Sequence, residues 1–405
     1  MKTKIDRDNS YIPILCWLLM IFRRDITVSL SLLRVPESIS MGLILLSTAF
    51  LFFVIRRQEI DLDRQWGTLS LLVMLAMYAI SLILAWNSVA LDYLQNFLFY
   101  CCLTSVYCSG IRSSQKAIVA YGVFSVIAFA LCGFLPLLGK NAIRYSTMEF
   151  FDTGMSYGEN VAVPGFIGLY TLLRYRKKLW ALPVLLVNVV LMLMLANRSS
   201  LLVAAFFVLV YELWIQKTSL KKGAIICLGL LAGLLILMNI ETILLLCKAL
   251  LDRFGIRSYS ITKFLALFEK QGGTKVSFTS GRDAINANAL SFFLKNPVFG
   301  IGIGQFSILT DMPYTHNLLT DILSTTGIIG AVIFFPMIVI AIVKMLSLKK
   351  MEDKLFVSIL FSLWFPRLLF SKTFVDDVLF WTFIVYALSM DVGKMNKRVQ
   401  WNLGR

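Results

Sequence analysis

The sequence predicts an all-α protein, a polytopic membrane bundle of about twelve transmembrane helices with a helical extracytoplasmic cap. Three observations predict it. First, 58% of the 405 residues are hydrophobic, mean hydropathy is +0.79 and only 15% are charged, against roughly a quarter in soluble domains. Second, apolar stretches recur along the whole chain, many of them near the roughly 20 residues that a helix needs to cross the hydrocarbon core. Third, lysine and arginine punctuate the ends of those stretches.

The apolar runs place spans at about 10–22, 37–55, 66–86, 88–108, 117–138, 160–173, 179–196, 198–215, 223–246, 325–346, 355–371 and 374–391. The first is short and fits either a full crossing or an interfacial position. Basic residues resist translocation and collect on the cytoplasmic side. With the N-terminus inside, the cytoplasmic segments are 1–9, 56–65, 109–116, 174–178, 216–222, 344–354 and 392–405, and every one of them contains lysine or arginine. The expected location is the cell membrane, and His316 falls on its extracytoplasmic side.

The net charge of +16 does not indicate nucleic acid, because the basic residues form neither one face nor one tail. Anionic lipid is the expected neighbour. Cys16, Cys101, Cys102, Cys108, Cys132, Cys227 and Cys247 all lie within or at the edge of apolar runs, so neither disulfides nor a zinc site is expected. The start, MKTKIDRDNSYIPILCWLLMIF, has a basic lead and an apolar run but no small-residue cleavage site. It reads as a retained anchor.

Residues 247–324 are too long for a simple connection and too rich in apolar and aromatic residues for a disordered linker. The expected organisation is therefore a bundle of 1–246, an extracytoplasmic loop of short helices over 247–324, and a second part of the bundle with a cytoplasmic tail over 325–405. KALLDRFGIRSYSITKFLALFEK reads as amphipathic helix broken at Gly255, QGGTKVSFTSG as loop, and RDAINANALSFFLKN as helix stopped by Asn296-Pro297. The following PVFGIGIGQF carries glycines at 300, 302 and 304. It lacks the strand–turn–helix setting of a dinucleotide site, so close backbone packing or a tight bend is the expected use.

His316 is the only histidine in the chain. An imidazole near its ordinary pKa of about 6.5 accepts a proton from a hydroxyl at neutral pH. Thr315 or Asn317 would begin the helix that runs through TDILSTTGIIGAVIFF, placing the ring where the helix dipole favours its neutral form. Asp311 and Asp321 are its candidate orienting partners. Arg198, in MLMLANRSSLLVAAFF, sits between two apolar runs and must reach water or an anion. Arg367, in LWFPRLLFSK, is expected at a similar depth. Arg282 begins a cap helix, where a cation gains nothing from the dipole. The external acidic residues show no DxD-like spacing for a divalent metal, so phosphate charge would be met by arginine, whose fork matches phosphate oxygens. No metal and no cofactor are expected.

Three stretches, NRSSLL, SGRDAINANALSFFLKNPVFGIGIGQF and HNLLTDILSTTGIIGAVIF, resemble in sequence and order the O-antigen ligase and Wzy-type O-antigen and capsular polysaccharide polymerase superfamily. The resemblance covers about residues 190–340, with Asn160 in SYGENVAVPG as a further element. It implies a C-type glycosyltransferase-like fold and an undecaprenyl-diphosphate-linked glycan donor used without nucleotide sugar or metal. It implies that Arg198 and Arg282 hold the diphosphate, and that His316, followed by Asn317, acts on the acceptor hydroxyl. Arg367 has no family counterpart, and DAINANAL departs from the large residue usual after Ser-Gly-Arg. The partners implied are the lipid-linked donor, a glycan acceptor, membrane lipids and other assembly proteins. A polymerase is the first reading, a ligase that attaches finished chains the second. A lipid-linked oligosaccharide flippase is the rival from another class, since Asp92, Glu212 and Glu241 lie in apolar surroundings.

Overall fold

The computed structural model describes residues 11–55, 65–133, 158–194, 198–216, 228–229, 240–253, 261, 265, 282–310, 312–370 and 372–393. Among these residues every regular element is a helix. Most of the expected span at 223–246, the loop QGGTKVSFTSG and Asp311 lie outside them.

In chain order the helices are α1 (Ile12–Ile21), α2 (Arg23–Leu32), α3 (Glu37–Ala49), α4 (Gln65–Leu84), α5 (Ser88–Asn96), α6 (Leu103–Ser109), α7 (Ser114–Cys132) and α8 (Val163–Arg174). They continue as α9 (Ala181–Met194), α10 (Arg198–Val210), α11 (Ile240–Arg253), α12 (Arg282–Lys295), α13 (Gln305–Thr310), α14 (Leu318–Leu346), α15 (Met351–Phe370) and α16 (Val378–Ser389). Three of these are long and apolar enough to cross a membrane: Trp66–Leu84, Ser114–Cys132 and Leu318–Leu346. Shorter apolar helices include Glu37–Phe53 and Ser199–Ile215. π-Helical turns interrupt the expected spans at Phe50–Ile55, Phe97–Cys102 and Tyr211–Ile215, a device common at functional or strained positions. In α15, Glu352 and Asp353 occupy the first turn and Arg367 the last.

Where the sequence suggested only a connection at 23–38, α2 forms. Thr27 and Ser29 turn their hydroxyls onto the Arg23 and Asp25 carbonyls, and Asp25, Thr27 and Val28 are buried. Burial of one face, not intrinsic propensity, holds this helix.

The chain divides into two compact units. The first contains Met1–Ile21, Leu45–Ala117 and Thr279–Arg405. Its centre is α16, which packs on α4, α6, α14 and α15 and buries Phe380, Trp381, Phe383 and Ile384 completely. Trp381 meets Phe97 edge-on at 5.3 Å, and Trp17 of α1 meets Phe356 at 5.4 Å. On α14, Ile328, Val332, Val339, Ile340 and Val343 are exposed while Gly330, Ala331, Phe334, Ile338 and Ala341 are buried. An apolar outer stripe opposite an apolar inner one is what lipid, not water, demands.

Near its middle α14 is broken. Gly327 has φ 64° and ψ −161°, outside the helical range, and the stretch Pro297–Gly302 fits into the break. The Ile301 and Gly302 amides donate to the Ser324 and Thr325 carbonyls at 2.7 and 3.1 Å, and the Ile328 and Ile329 amides donate to the Pro297 and Val298 carbonyls at 2.8 and 3.2 Å. The groups freed by the break are thereby satisfied, as low-dielectric surroundings require.

The second unit contains Phe22–Ile44 and Ile118–Phe278. Here α8 packs on α9 and α10. Glu212, 1% exposed, accepts from Arg174 Nε at 2.8 Å, Arg174 Nη2 at 2.9 Å and Tyr170 Oη at 2.6 Å.

Candidate functional site

His316 lies in the first unit, in the short stretch between α13 and α14. Asn317 is the N-cap of α14, its side-chain oxygen accepting from the Leu319 and Thr320 amides at 2.9 and 3.4 Å. The expected helix start is therefore found at the second of the two residues named for it. His316 itself has φ 61°, a left-handed conformation that costs a non-glycine residue of order 1 kcal/mol or more and concentrates at functional sites.

The ring is half-buried. The Tyr314 ring meets it edge-on, with centroids 4.4 Å apart, and its Nδ1 is buried without a hydrogen-bond partner among the described residues. Burial, and second the charge of Arg282, lower its pKa to about 4. The unperturbed value expected from sequence is thus corrected: taking the ring out of water beside a cation disfavours its charged form. It is neutral at physiological pH.

Arg282 opens α12, which packs along α14. One turn further on α12, Asn286 accepts through its side-chain oxygen from Thr320 Oγ1 at 3.1 Å. Residues four apart share a helix face, so α12 turns Arg282 and Asn286 towards the start of α14. This is how the sequence-distant guanidinium and imidazole come together.

Asp321 does not orient the ring directly. It is 2% exposed, and its Oδ2 accepts from Thr373 Oγ1 at 2.6 Å and the Phe374 amide at 3.2 Å. Asn96 Nδ2 donates to Asp376 at 3.2 Å, and Tyr93 Oη donates to the Pro313 carbonyl at 3.0 Å. These contacts, made by residues not named from the sequence, wall the same end of the first unit. Arg367 is buried on α15, 4% exposed, whereas Arg282 is partly open. Arg198 opens α10 and Asn160 sits in the π-helical turn Gly158–Ala162; both belong to the second unit. The Arg198 side chain lies outside the described residues, as does Asp311.

The glycine run makes a tight bend, as expected. Gly300, Gly302 and Gly304 all have positive φ, and a Cβ on Gly304 would stand 2.5 Å from Asn87 Oδ1. The bend is tied to the α4–α5 turn, with the Ile303 amide donating to Ser81 Oγ at 2.6 Å and Asn87 Nδ2 to the Ile303 carbonyl at 3.0 Å. A cavity of about 550 Å³ opens beside it, walled by Met77, Ile80, Leu84, Phe299, Leu309 and Thr326. None of the candidate catalytic residues lines it.

Apolar helices with lipid-facing stripes, and a histidine–arginine pair ahead of one of them, define a membrane protein with a polar site at one end of its first unit. Residues 183–335 match the family model described as O-antigen ligase. That stretch is similar to the O-antigen ligase family, the same family that the sequence motifs resemble. Arg198, Arg282 and His316 fall inside the match; Asn160 and Arg367 fall outside it. The comparison with curated proteins gives no match.

Proposed function

We propose that this protein is a membrane glycosyltransferase that transfers a glycan from undecaprenyl diphosphate to a sugar hydroxyl of another lipid-linked repeat, lengthening an O-antigen or capsular polysaccharide. The observation that supports it most is the neutral, half-buried imidazole of His316 beside Arg282. His316 takes the proton of the acceptor hydroxyl, whose oxygen attacks the anomeric carbon. The bond from that carbon to the diphosphate oxygen breaks with its electron pair, and the configuration inverts. Arg282, with Arg367, meets the charge of the departing diphosphate, and Asn317 supports the site. No metal takes part in this scheme.

An imidazole with a pKa of about 4 is a weak base in the empty site. A bound diphosphate brings opposite charge next to it and raises that pKa towards the range where base catalysis is efficient. Donor binding thus arms the base. Arg282 neutralises part of the same charge, so the pair senses the donor and balances it. The site is read as extracytoplasmic because it lies at the opposite end of α14 from Lys344, Lys349 and Lys350.

The description of the matched family favours a second reading, a ligase that moves a finished chain to a lipid or wall acceptor. Deleting the protein separates the two. Loss of a polymerase leaves single repeats on the carrier, whereas loss of a ligase leaves long chains stranded there. Lipid-linked glycans of normal length and amount in the deletion strain would refute both. For the flippase reading the sequence offered three acidic residues. Of these, Glu212 is held by Arg174 and Tyr170, Asp92 is exposed, and the side chain of Glu241 lies outside the described residues.

A further inference from the structure

His316 holds an unfavourable backbone conformation, φ 61°, while its buried Nδ1 has no hydrogen-bond partner among the described residues. Among the described residues no hydrogen bond to the ring holds it, and the backbone on either side is what positions it. That backbone is tied down at three points. Before the histidine, Tyr93 Oη holds the Pro313 carbonyl at 3.0 Å. Immediately before it, Thr315 is completely buried; its hydroxyl lies 3.2 Å from the Asn317 carbonyl and also within reach of the Asp321 carboxylate. After it, Asn317 caps α14.

The Asp321 carboxylate is the common anchor. It also accepts from Thr373 Oγ1 and the Phe374 amide. Phe374 is fixed in turn, since its carbonyl accepts from Trp381 Nε1 at 2.9 Å and its ring packs on Phe334 at 5.3 Å. Through Asp321 the His316 loop is therefore joined to the buried aromatic centre around α16. An ionised carboxylate accepts on two oxygens, whereas an amide side chain accepts on only one.

We infer that Asp321 and Tyr93 are positioning residues that hold His316 in its left-handed conformation, Asp321 through Thr315 and Thr373 and Tyr93 through Pro313. Their importance for transfer rests on the reading of His316 as the base. Their effect on the imidazole does not.

The single histidine supplies a direct probe, because a full-length protein labelled with 15N-histidine in detergent or nanodiscs gives one side-chain imidazole signal to follow by NMR. In Asp321→Asn, Thr373→Val and Tyr93→Phe the imidazole titration moves up from the wild-type position as the ring gains access to water. Thr373→Ser, which restores the hydroxyl, titrates like the wild type. The kcat for glycan transfer falls about tenfold in Asp321→Asn and Thr373→Val, with KM for the lipid-linked donor little changed, as expected when a base is misplaced and binding is not. Where Asp321→Asn does not fold, the Thr373 pair and Tyr93→Phe decide the matter. Folded Thr373→Val and Tyr93→Phe proteins whose imidazole titrates as in the wild type overturn the inference. A moved titration with unchanged kcat keeps the anchors and removes His316 from the reaction instead, so the two readings fail separately.

Discussion

Burial and the Arg282 guanidinium push the His316 pKa in the same direction, downward, and this fixes the sign of two pH effects. The ring stays neutral above about pH 5, so kcat/KM for the lipid-linked donor is flat from pH 8 to about 5 and falls as the pH passes through about 4. A kcat/KM profile, which reports the free enzyme, with its acid limb near 6.5 contradicts the burial of this ring. Stability follows the same group. The unfolded chain takes up the proton near the ordinary value of about 6.5 and the folded one near 4, so this contribution is present above about 6.5 and is lost as the pH falls to about 4. Replacing Arg282 by Gln removes the cation and raises the imidazole pKa, though burial, the larger cause, keeps it below the ordinary value. NMR titration of the single histidine checks this. The sequence singles out the two residues, because His316 stands alone and Arg282 breaks the charge preference of a helix start. It does not single out their partners. Tyr93 and Thr373 carry no signal in the sequence, since only the fold brings residues 220 and 57 positions away from the 313–316 loop against it.

Between residues and the molecule stand the elements, and here the break in α14 decides most. The sequence reads as a helix beginning near Asn317 with an unbroken span over 325–346, because hydropathy runs on through Gly327 without interruption. The break depends on backbone geometry at Gly327 and on amides and carbonyls supplied by Pro297–Gly302, neither of which leaves a hydropathy trace. A Cβ on Gly327 would meet the Val298 carbonyl oxygen, stand 2.5 Å from the Gly300 nitrogen, and force a left-handed conformation on a residue with a side chain. Gly327→Ala is therefore expected to cost at least about 1–3 kcal/mol, read as a lower melting temperature in detergent. Gly42→Ala, with nothing within 4 Å of the added carbon, is the control expected to melt like the wild type. The tight bend at Gly300, Gly302 and Gly304 was legible from its glycines. The π-helical turns were not, because one extra residue in a helical turn does not alter an apolar run.

Across the whole molecule, composition made the helical class plain, and the basic segments supply an orientation that labelling can test. The divided chain path was hidden, since Phe22–Ile44 groups with Ile118–Phe278 through tertiary contacts alone. The Arg174–Glu212 pair belongs to this scale. Breaking a buried ion pair by removing one partner costs about 3–5 kcal/mol, less where one side is partly open to water, and Arg174 is 32% exposed. Arg174→Ala is expected to lower the melting temperature of the second unit while kcat per folded molecule is retained. A flippase that used Glu212 for coupling would instead lose its activity outright. Orientation is checked by labelling. Met312→Cys, exposed beside His316, reacts with an impermeant maleimide in spheroplasts, while Lys350→Cys at the other end of α14 reacts only after the membrane is opened.

The most direct test of the central claim is transfer by His316→Ala protein reconstituted in lipid with a defined undecaprenyl-diphosphate-linked repeat. Loss of a positioned base slows transfer by about 10²–10⁴ while donor binding persists, and a further Arg282→Ala change weakens that binding. Transfer by the His316→Ala protein at the wild-type rate would contradict the account.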